Sequence, residues 1–227
     1  MKDLKKKIEK LLKDYLFQYG FRKERGTVYS RLEDEIKEGL YFGSSAHNEK
    51  HVCYLTYTAG FSCPVVEEVA YELNELVGGL GMNIGFLMPD YFFKEWRFAI
   101  DNSDEYIQYQ VSDIISTVLE YAIPYFRKYS TQENLVYGLE TRELRCSNGV
   151  RDIYLPILYY LRGHNAQAYS FVEEVIKRRT LDFPIDEYKA MQVIYGEEAI
   201  QIPPNKELDS YLPFAEKFKK MIEAEKS

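Results

Sequence analysis

TVYSRLEDEIKEGLYFGSSAHNEKHVCYLTYTAGFS, residues 27–62, is the stretch that decides the fold class of this chain. Thr27 to Leu32, Gly39 to Ser44 and His51 to Ser62 concentrate β-branched and aromatic residues, which suit a pleated, half-buried surface. The polar stretches Glu33–Glu35 and Ala46–Lys50 supply the turns between them. Strands that follow one another through short turns pair antiparallel, so a mainly antiparallel sheet is expected at the centre of the fold.

Helical spacing takes over on both sides. Upstream, Leu4, Ile8, Leu11, Leu12, Tyr15, Leu16 and Tyr19 form the apolar stripe of an amphipathic helix, with Gly20 as its stop. Downstream, Pro64 opens a second helix with Val66, Val69, Ala70, Leu73, Leu76 and Val77 on one side, and Gly78-Gly79 is expected to end it. Ile84–Met88 and Glu95–Ile100 read as two more strands across Pro89-Asp90. Asn102 and Glu105 have capping-box spacing and start a long helix to about Tyr121, which Pro124 must end or kink. Ser130 and Glu133 repeat that cap signal.

Beyond Glu140 the strand signal stops. Ile153–Leu161 and Asn165–Arg178 predict a helical hairpin about Gly163, and Ile185–Ile194 and Lys206–Glu225 predict further helices. The expected class is α+β, a mainly antiparallel sheet covered by helices with an all-helical C-terminal section. The expected division is 1–140 for the α+β domain and 141–227 for the helical section, which either folds separately or packs as one unit with the first.

Charge is unevenly placed. Residues 1–31 hold 10 basic and 4 acidic side chains, residues 32–150 hold 8 and 19, and residues 151–227 hold 11 and 13. The acidic middle disfavours nucleic acid there and suits a basic partner. No apolar run approaches the roughly 20 residues that span a bilayer, and Lys2, Lys5, Lys6, Lys7, Lys10 and Lys13 interrupt any signal-like stretch. Cys53, Cys63 and Cys146 are odd in number and widely spaced, which favours a reducing, cytoplasmic setting over a disulfide framework.

Chemistry-bearing patterns are sparse. His47, His51 and Cys53 would need a helix to bring both imidazoles together, and they border a strand. Gly78-Gly79-Leu80-Gly81 follows a helix and lacks a lysine, unlike a phosphate loop. Asp101, Asp104 and Glu105 lie where acids cap and stabilise a helix start. Cys53 or Cys63 with His51 or His164 is a nucleophile–base pairing that the fold could bring together in space, and small buried cysteine is the simpler reading of both thiols. No metal site and no cofactor are expected.

One charge pattern is distinctive. On the Pro64–Val77 helix, Glu67, Glu68, Glu72 and Glu75 fall within about 140° at 100° per residue, opposite the apolar stripe. No Lys or Arg offsets them at i±3 or i±4, so a basic partner would give them a use. The chain also has 21 Tyr and 13 Phe. Tyr91, Phe92, Phe93, Tyr106, Tyr109 and Tyr125 are candidates for aromatic contacts with a partner.

Gly20-Phe21-Arg22-Lys23, Tyr29-Ser30-Arg31, Glu95-Trp96-Arg97-Phe98, Asn102 and Ala122-Ile123-Pro124-Tyr125-Phe126 together form a pattern over about residues 20–139. It resembles a group of uncharacterised bacterial α+β domains of unknown function, some of which sit among toxin-immunity genes. The resemblance brings no functional residues with it. It departs at the C-terminal section, where Leu161, Gly163 and Ala168 look more like a single helix-turn-helix of the tetratricopeptide kind.

The leading expectation is a non-enzymatic cytoplasmic protein-binding protein, of the immunity-inhibitor type, that masks a basic toxin or enzyme through Glu67, Glu68, Glu72 and Glu75. Neither nucleic acid nor membrane is an expected partner. A second reading is a small-molecule-binding protein or enzyme with a pocket around Trp96, Arg97 and His51. A third is an interaction scaffold built on the C-terminal helices.

Overall fold

The computed structural model describes residues 1–24, 26–33, 35–47 and 49–225. Asp34 and Asn48, which fall in two of the predicted turns, lie outside the described residues. Among the described residues six strands form one antiparallel sheet: β1 (Arg22–Lys23), β2 (Val28–Glu33), β3 (Ile36–Ser45), β4 (Val52–Ser62), β5 (Leu80–Asn83) and β6 (Trp96–Ala99). They run in the order β1-β2-β3-β4-β5, and β6 pairs with the other half of β4. The class expected from the sequence, α+β with a helical C-terminal region, is the one observed.

The chain divides into two units, Met1–Val65 with Gly78–Val150, and Val66–Val77 with Arg151–Ser227. In the first, period-2 alternation puts Tyr29, Leu40, Phe42, Tyr57, Ala59, Phe61 and Phe98 on one face of the sheet, all buried. Helices cover that face. Helix α1 (Lys2–Gln18) contributes the buried Ile8, Leu12 and Leu16, and the Tyr29 hydroxyl donates to the Glu9 carbonyl. Tyr57 donates to the Ile114 carbonyl in the helix that follows β6, and its ring stacks on Trp96 at 5.2 Å.

Helix α1 stops as its sequence predicts. Gly20 takes a φ of 84°, and the amides of Gly20 and Phe21 bond back to Phe17 and Leu16, which closes a Schellman turn.

Several boundaries move from their expected places. Ile84–Leu87 is a 3-10 turn rather than a strand, and the strand lies just before it, in β5. Both caps sit one residue later than the S-x-x-E spacing implies. Ser103 caps α3 (Asp104–Thr117) and Thr131 caps α5 (Gln132–Glu140), each accepting from the amide three residues on. Asn102 instead accepts from the Ala99 amide at 2.7 Å and closes the turn out of β6. Pro124 does not stop the long helix. The helix widens into a π turn over Val118–Ala122, with Ile123 bonding to Val118, and continues as α4 (Ile123–Lys128). Such a turn absorbs the missing proline N–H.

The second unit is helical: α6 (Asn148–Leu161), α7 (Asn165–Leu181), α8 (Ile185–Tyr195) and α9 (Lys206–Ala224), joined by the segment that holds most of α2 (Pro64–Glu72). Helices α6 and α7 form the predicted hairpin, with Gly163 at φ 76°. The core includes Leu155, Leu158, Val172, Phe214 and Phe218. Asp152, fully buried, accepts from Arg178 through both oxygens and from Arg179, each at 2.7 Å. The Tyr211 hydroxyl donates to the Asp152 carbonyl.

Candidate functional site

Helix α2 is amphipathic. Pro64 occupies its first position, Val66 and Ala70 are buried, and Glu67, Glu68 and Glu72 are exposed. The helix ends at Glu72, earlier than expected, because Asn74 enters the left-handed region with φ 61°. Glu75 N–H then bonds to the Ala70 carbonyl and Asn74 N–H to Tyr71, a Schellman turn that asparagine tolerates without glycine. Lys217 donates its amine to the Leu73 carbonyl at 3.0 Å, the cationic partner that a helix C-terminus favours. Three of the four predicted glutamates therefore share the helix, while Glu75 lies beyond the turn and is half-buried.

Between Glu67 and Glu68 in helical phase, at about 40° from the first, stands Tyr71, 74% exposed. Leu76, past the turn, is 91% exposed. None of Glu67, Glu68, Glu72 or Glu75 makes an ion pair among the described residues. Glu68 and Glu72 repel at i, i+4, at a cost of about 0.2–0.5 kcal/mol. The negative field extends to Tyr160, whose hydroxyl is pushed up to about 12 by its hydrogen bond to Glu225, by burial, and by the charges of Glu225 and Glu72. Charge spacing alone does not point to Tyr71; its i+4 spacing from Glu67 is the sequence signal that places it on the acidic face.

Arg97 and His51 do share a surface, and Trp96 does not join them. Adjacent residues on β6 point to opposite faces. Trp96 is buried and donates its indole N–H to Asp113 at 2.6 Å. Arg97 faces outward and donates to Glu49 at 3.3 Å. Glu49 also accepts the Tyr54 hydroxyl, and that hydrogen bond first, then Arg97, holds its carboxyl below the usual range. His51 (φ 66°), Lys50, Glu49, Arg97, Ile100 and Asp101 line an open depression of about 410 Å³. His47 turns away from it, within 3.1 Å of Glu95 and against the Tyr54 ring. Cys53 is buried, and burial pushes its thiol up, away from the reactive thiolate. Among the described residues no three His, Cys, Asp or Glu side chains converge to hold a metal ion.

The aromatic candidates separate. Tyr125 is half-buried, packed on Phe61, Phe126 and Tyr129. Tyr106 and Tyr109 are exposed on α3. Tyr91, Phe92 and Phe93 are also exposed, on the loop that joins the 3-10 turn to β6.

Together these features define an α+β protein with a six-stranded antiparallel sheet, a helical second unit and several unpaired surface features. No helix among the described residues is long and apolar enough to cross a membrane. Comparison with protein-family models, curated proteins and solved structures finds no match.

Proposed function

We propose that the chain is a non-enzymatic protein-binding protein that engages a basic partner through the exposed face of α2, in the manner of an immunity-type inhibitor that masks a toxin or enzyme. The observation that carries this reading is Tyr71, exposed among Glu67, Glu68 and Glu72, which have no ion-pair partner among the described residues. Tyrosine supplies a large, fairly rigid anchor with a polar tip. Carboxylates around such an anchor speed encounter with a cationic surface and reject anionic ones. The working setting of such a protein is the cytoplasm, and nucleic acid is not a partner.

The test is affinity capture of the tagged chain at low and high salt, followed by titration of the recovered protein against the Glu67→Lys, Glu68→Lys, Glu72→Lys variant. The reading predicts one basic protein, held at low salt and released at high salt, with at least a tenfold loss of affinity in the variant. Unchanged affinity and unchanged salt dependence would remove α2 from the interface. The depression beside Arg97 and His51 favours a second reading, a small-molecule-binding protein or enzyme. A metabolite screen by thermal shift tests it, since a ligand at a hundred times its Kd adds about 2.7 kcal/mol of stability.

A further inference from the structure

The loop between β5 and β6 is built to hold a shape. Asn83, at the end of β5, accepts from the amides of Gly85 (3.0 Å) and Lys94 (2.9 Å) and donates to the Lys94 carbonyl (3.1 Å). One side chain thus ties both ends of residues 84–94. The ends also touch directly. The Phe92 amide bonds to the Gly85 carbonyl, and a Cβ added at Gly85 would lie 2.0 Å from the Phe92 carbonyl oxygen. Within this closure Tyr91 has φ 49°, a conformation that bulky L-residues rarely adopt unless their surroundings impose it. The loop nevertheless presents Tyr91, Phe92 and Phe93 to solvent, 48%, 40% and 57% exposed. Tyr91 rests on the half-buried Phe86 at 5.0 Å, but none of the three rings at the crest of the loop joins the buried core. Rigid exposed aromatics are what a binding anchor requires, because their ordering cost is met before the partner arrives.

The charges around the crest indicate the partner. Lys94 is taken up by Asp113 at 3.8 Å and lies over the Trp96 ring, and the Arg145 guanidinium lies on the Tyr91 ring. Asp90 and Glu120, both exposed, make no ion pair among the described residues. Both act on Tyr121, whose hydroxyl is pushed up first by its hydrogen bond to Glu120. With Lys94 offset by Asp113, Asp90 and Glu120 outnumber the single exposed cation, Arg145, so the net charge beside the aromatic crest is acidic.

We infer that the 84–94 loop is a preformed docking projection, and that its aromatic crest seats in a concave apolar site rimmed by Lys or Arg on another protein. This surface is distinct from α2, and the inference shares with the proposed function only the basic character of the partner.

The test places the photo-cross-linker benzoylphenylalanine at Phe93 in one preparation and at Tyr71 in another, with irradiation in cells that produce the chain natively and sequencing of the adducts. The Phe93 probe should form an adduct with a basic protein other than this chain, at residues lining a cleft. Asp90→Lys with Glu120→Lys should cut its yield at least tenfold at an unchanged melting temperature. No adduct at Phe93, an adduct only with a second copy, an adduct with an acidic protein, or a yield indifferent to charge reversal would overturn the inference. An adduct at Tyr71 with none at Phe93 would do so while leaving the α2 reading standing, and the opposite result would sink α2 and keep the loop.

Discussion

Replacing Asn83 with alanine removes the three hydrogen bonds that close the 84–94 loop, and the structure sets the size of the effect. Each bond is worth about 1 kcal/mol net, and a buried donor left without a partner costs about 1–3 kcal/mol. The Gly85 amide is such a donor, because Gly85 is buried. The expected cost is about 2–4 kcal/mol if the loop stays closed around the missing side chain. If the loop opens instead, its opening constant rises about thirtyfold for 2 kcal/mol. Amide hydrogen exchange followed by NMR separates the two outcomes. Protection at Gly85, Phe92 and Lys94 should fall by that factor, while amides in the middle of β4, such as Tyr57 and Ala59, keep theirs. Asn83→Asp keeps the oxygen that accepts from Gly85 and Lys94 but sets a second carboxylate oxygen against the Lys94 carbonyl. Its protection should therefore recover toward wild type only where the side chain is protonated and can donate again. Unchanged protection at Gly85 and Lys94 in the alanine variant would refute the latch. An equal loss throughout β4 would mean that Asn83 supports the whole sheet rather than this loop.

Asp152→Ala leaves Arg178 and Arg179 facing a space that held their shared carboxylate, and removing one partner of a buried ion pair costs about 3–5 kcal/mol. Both guanidinium groups keep some access to water, so the lower end is expected in urea denaturation, and a loss under about 1 kcal/mol would contradict the assigned role. Glu38 is held above its ordinary 4.5 chiefly by burial, against the opposing pull of the Arg31 hydrogen bond at 2.6 Å. A raised carboxyl binds its proton more tightly in the folded state, so the stability it confers is complete below pH 4.5 and is lost as pH rises through the folded value. The stability difference between wild type and Glu38→Gln should therefore shift against wild type above pH 4.5, and a difference independent of pH would refute this account. Asn74→Val should cost about 1–2 kcal/mol by placing a β-branched residue at φ 61°, whereas Asn74→Gly should cost little; equal melting temperatures for the two would rule out the left-handed helix stop.

The physical kind of signal decided which parts of this molecule were readable from its sequence. The strands within 27–62 and the helices of the C-terminal section rest on periodicity repeated over many residues, so an error at one position changes little, and they appear within a residue or a few of their expected ends. Helix stops depend on single residues. Gly20 and Gly163 end their helices as predicted, but Asn74 stops α2 before Gly78-Gly79 is reached, which removes Glu75 from the acidic helix face. The two caps show the same limit from another side. Asn102 and Ser130 have the right spacing, yet Ser103 and Thr131 are equally able to accept an amide, and only the backbone path chooses between neighbours. For Trp96 and Arg97 the information was present in period 2, which forbids adjacent strand residues from lining one pocket.

The 84–94 loop marks where such reading ends. Its aromatic triplet is visible in the sequence, but its rigidity comes from Asn83, whose oxygen meets one amide two residues away and another eleven residues away. Neither periodicity nor composition encodes that closure. An exposed Tyr-Phe-Phe on a flexible loop would bury its rings or pay ordering entropy on every encounter. On a latched loop the same residues become a fixed surface, so the functional content of the triplet lies in the asparagine that holds it. Asn83→Ala should therefore weaken the Phe93 cross-link even though every aromatic side chain is retained, and a cross-link of undiminished yield would show that the latch serves stability alone.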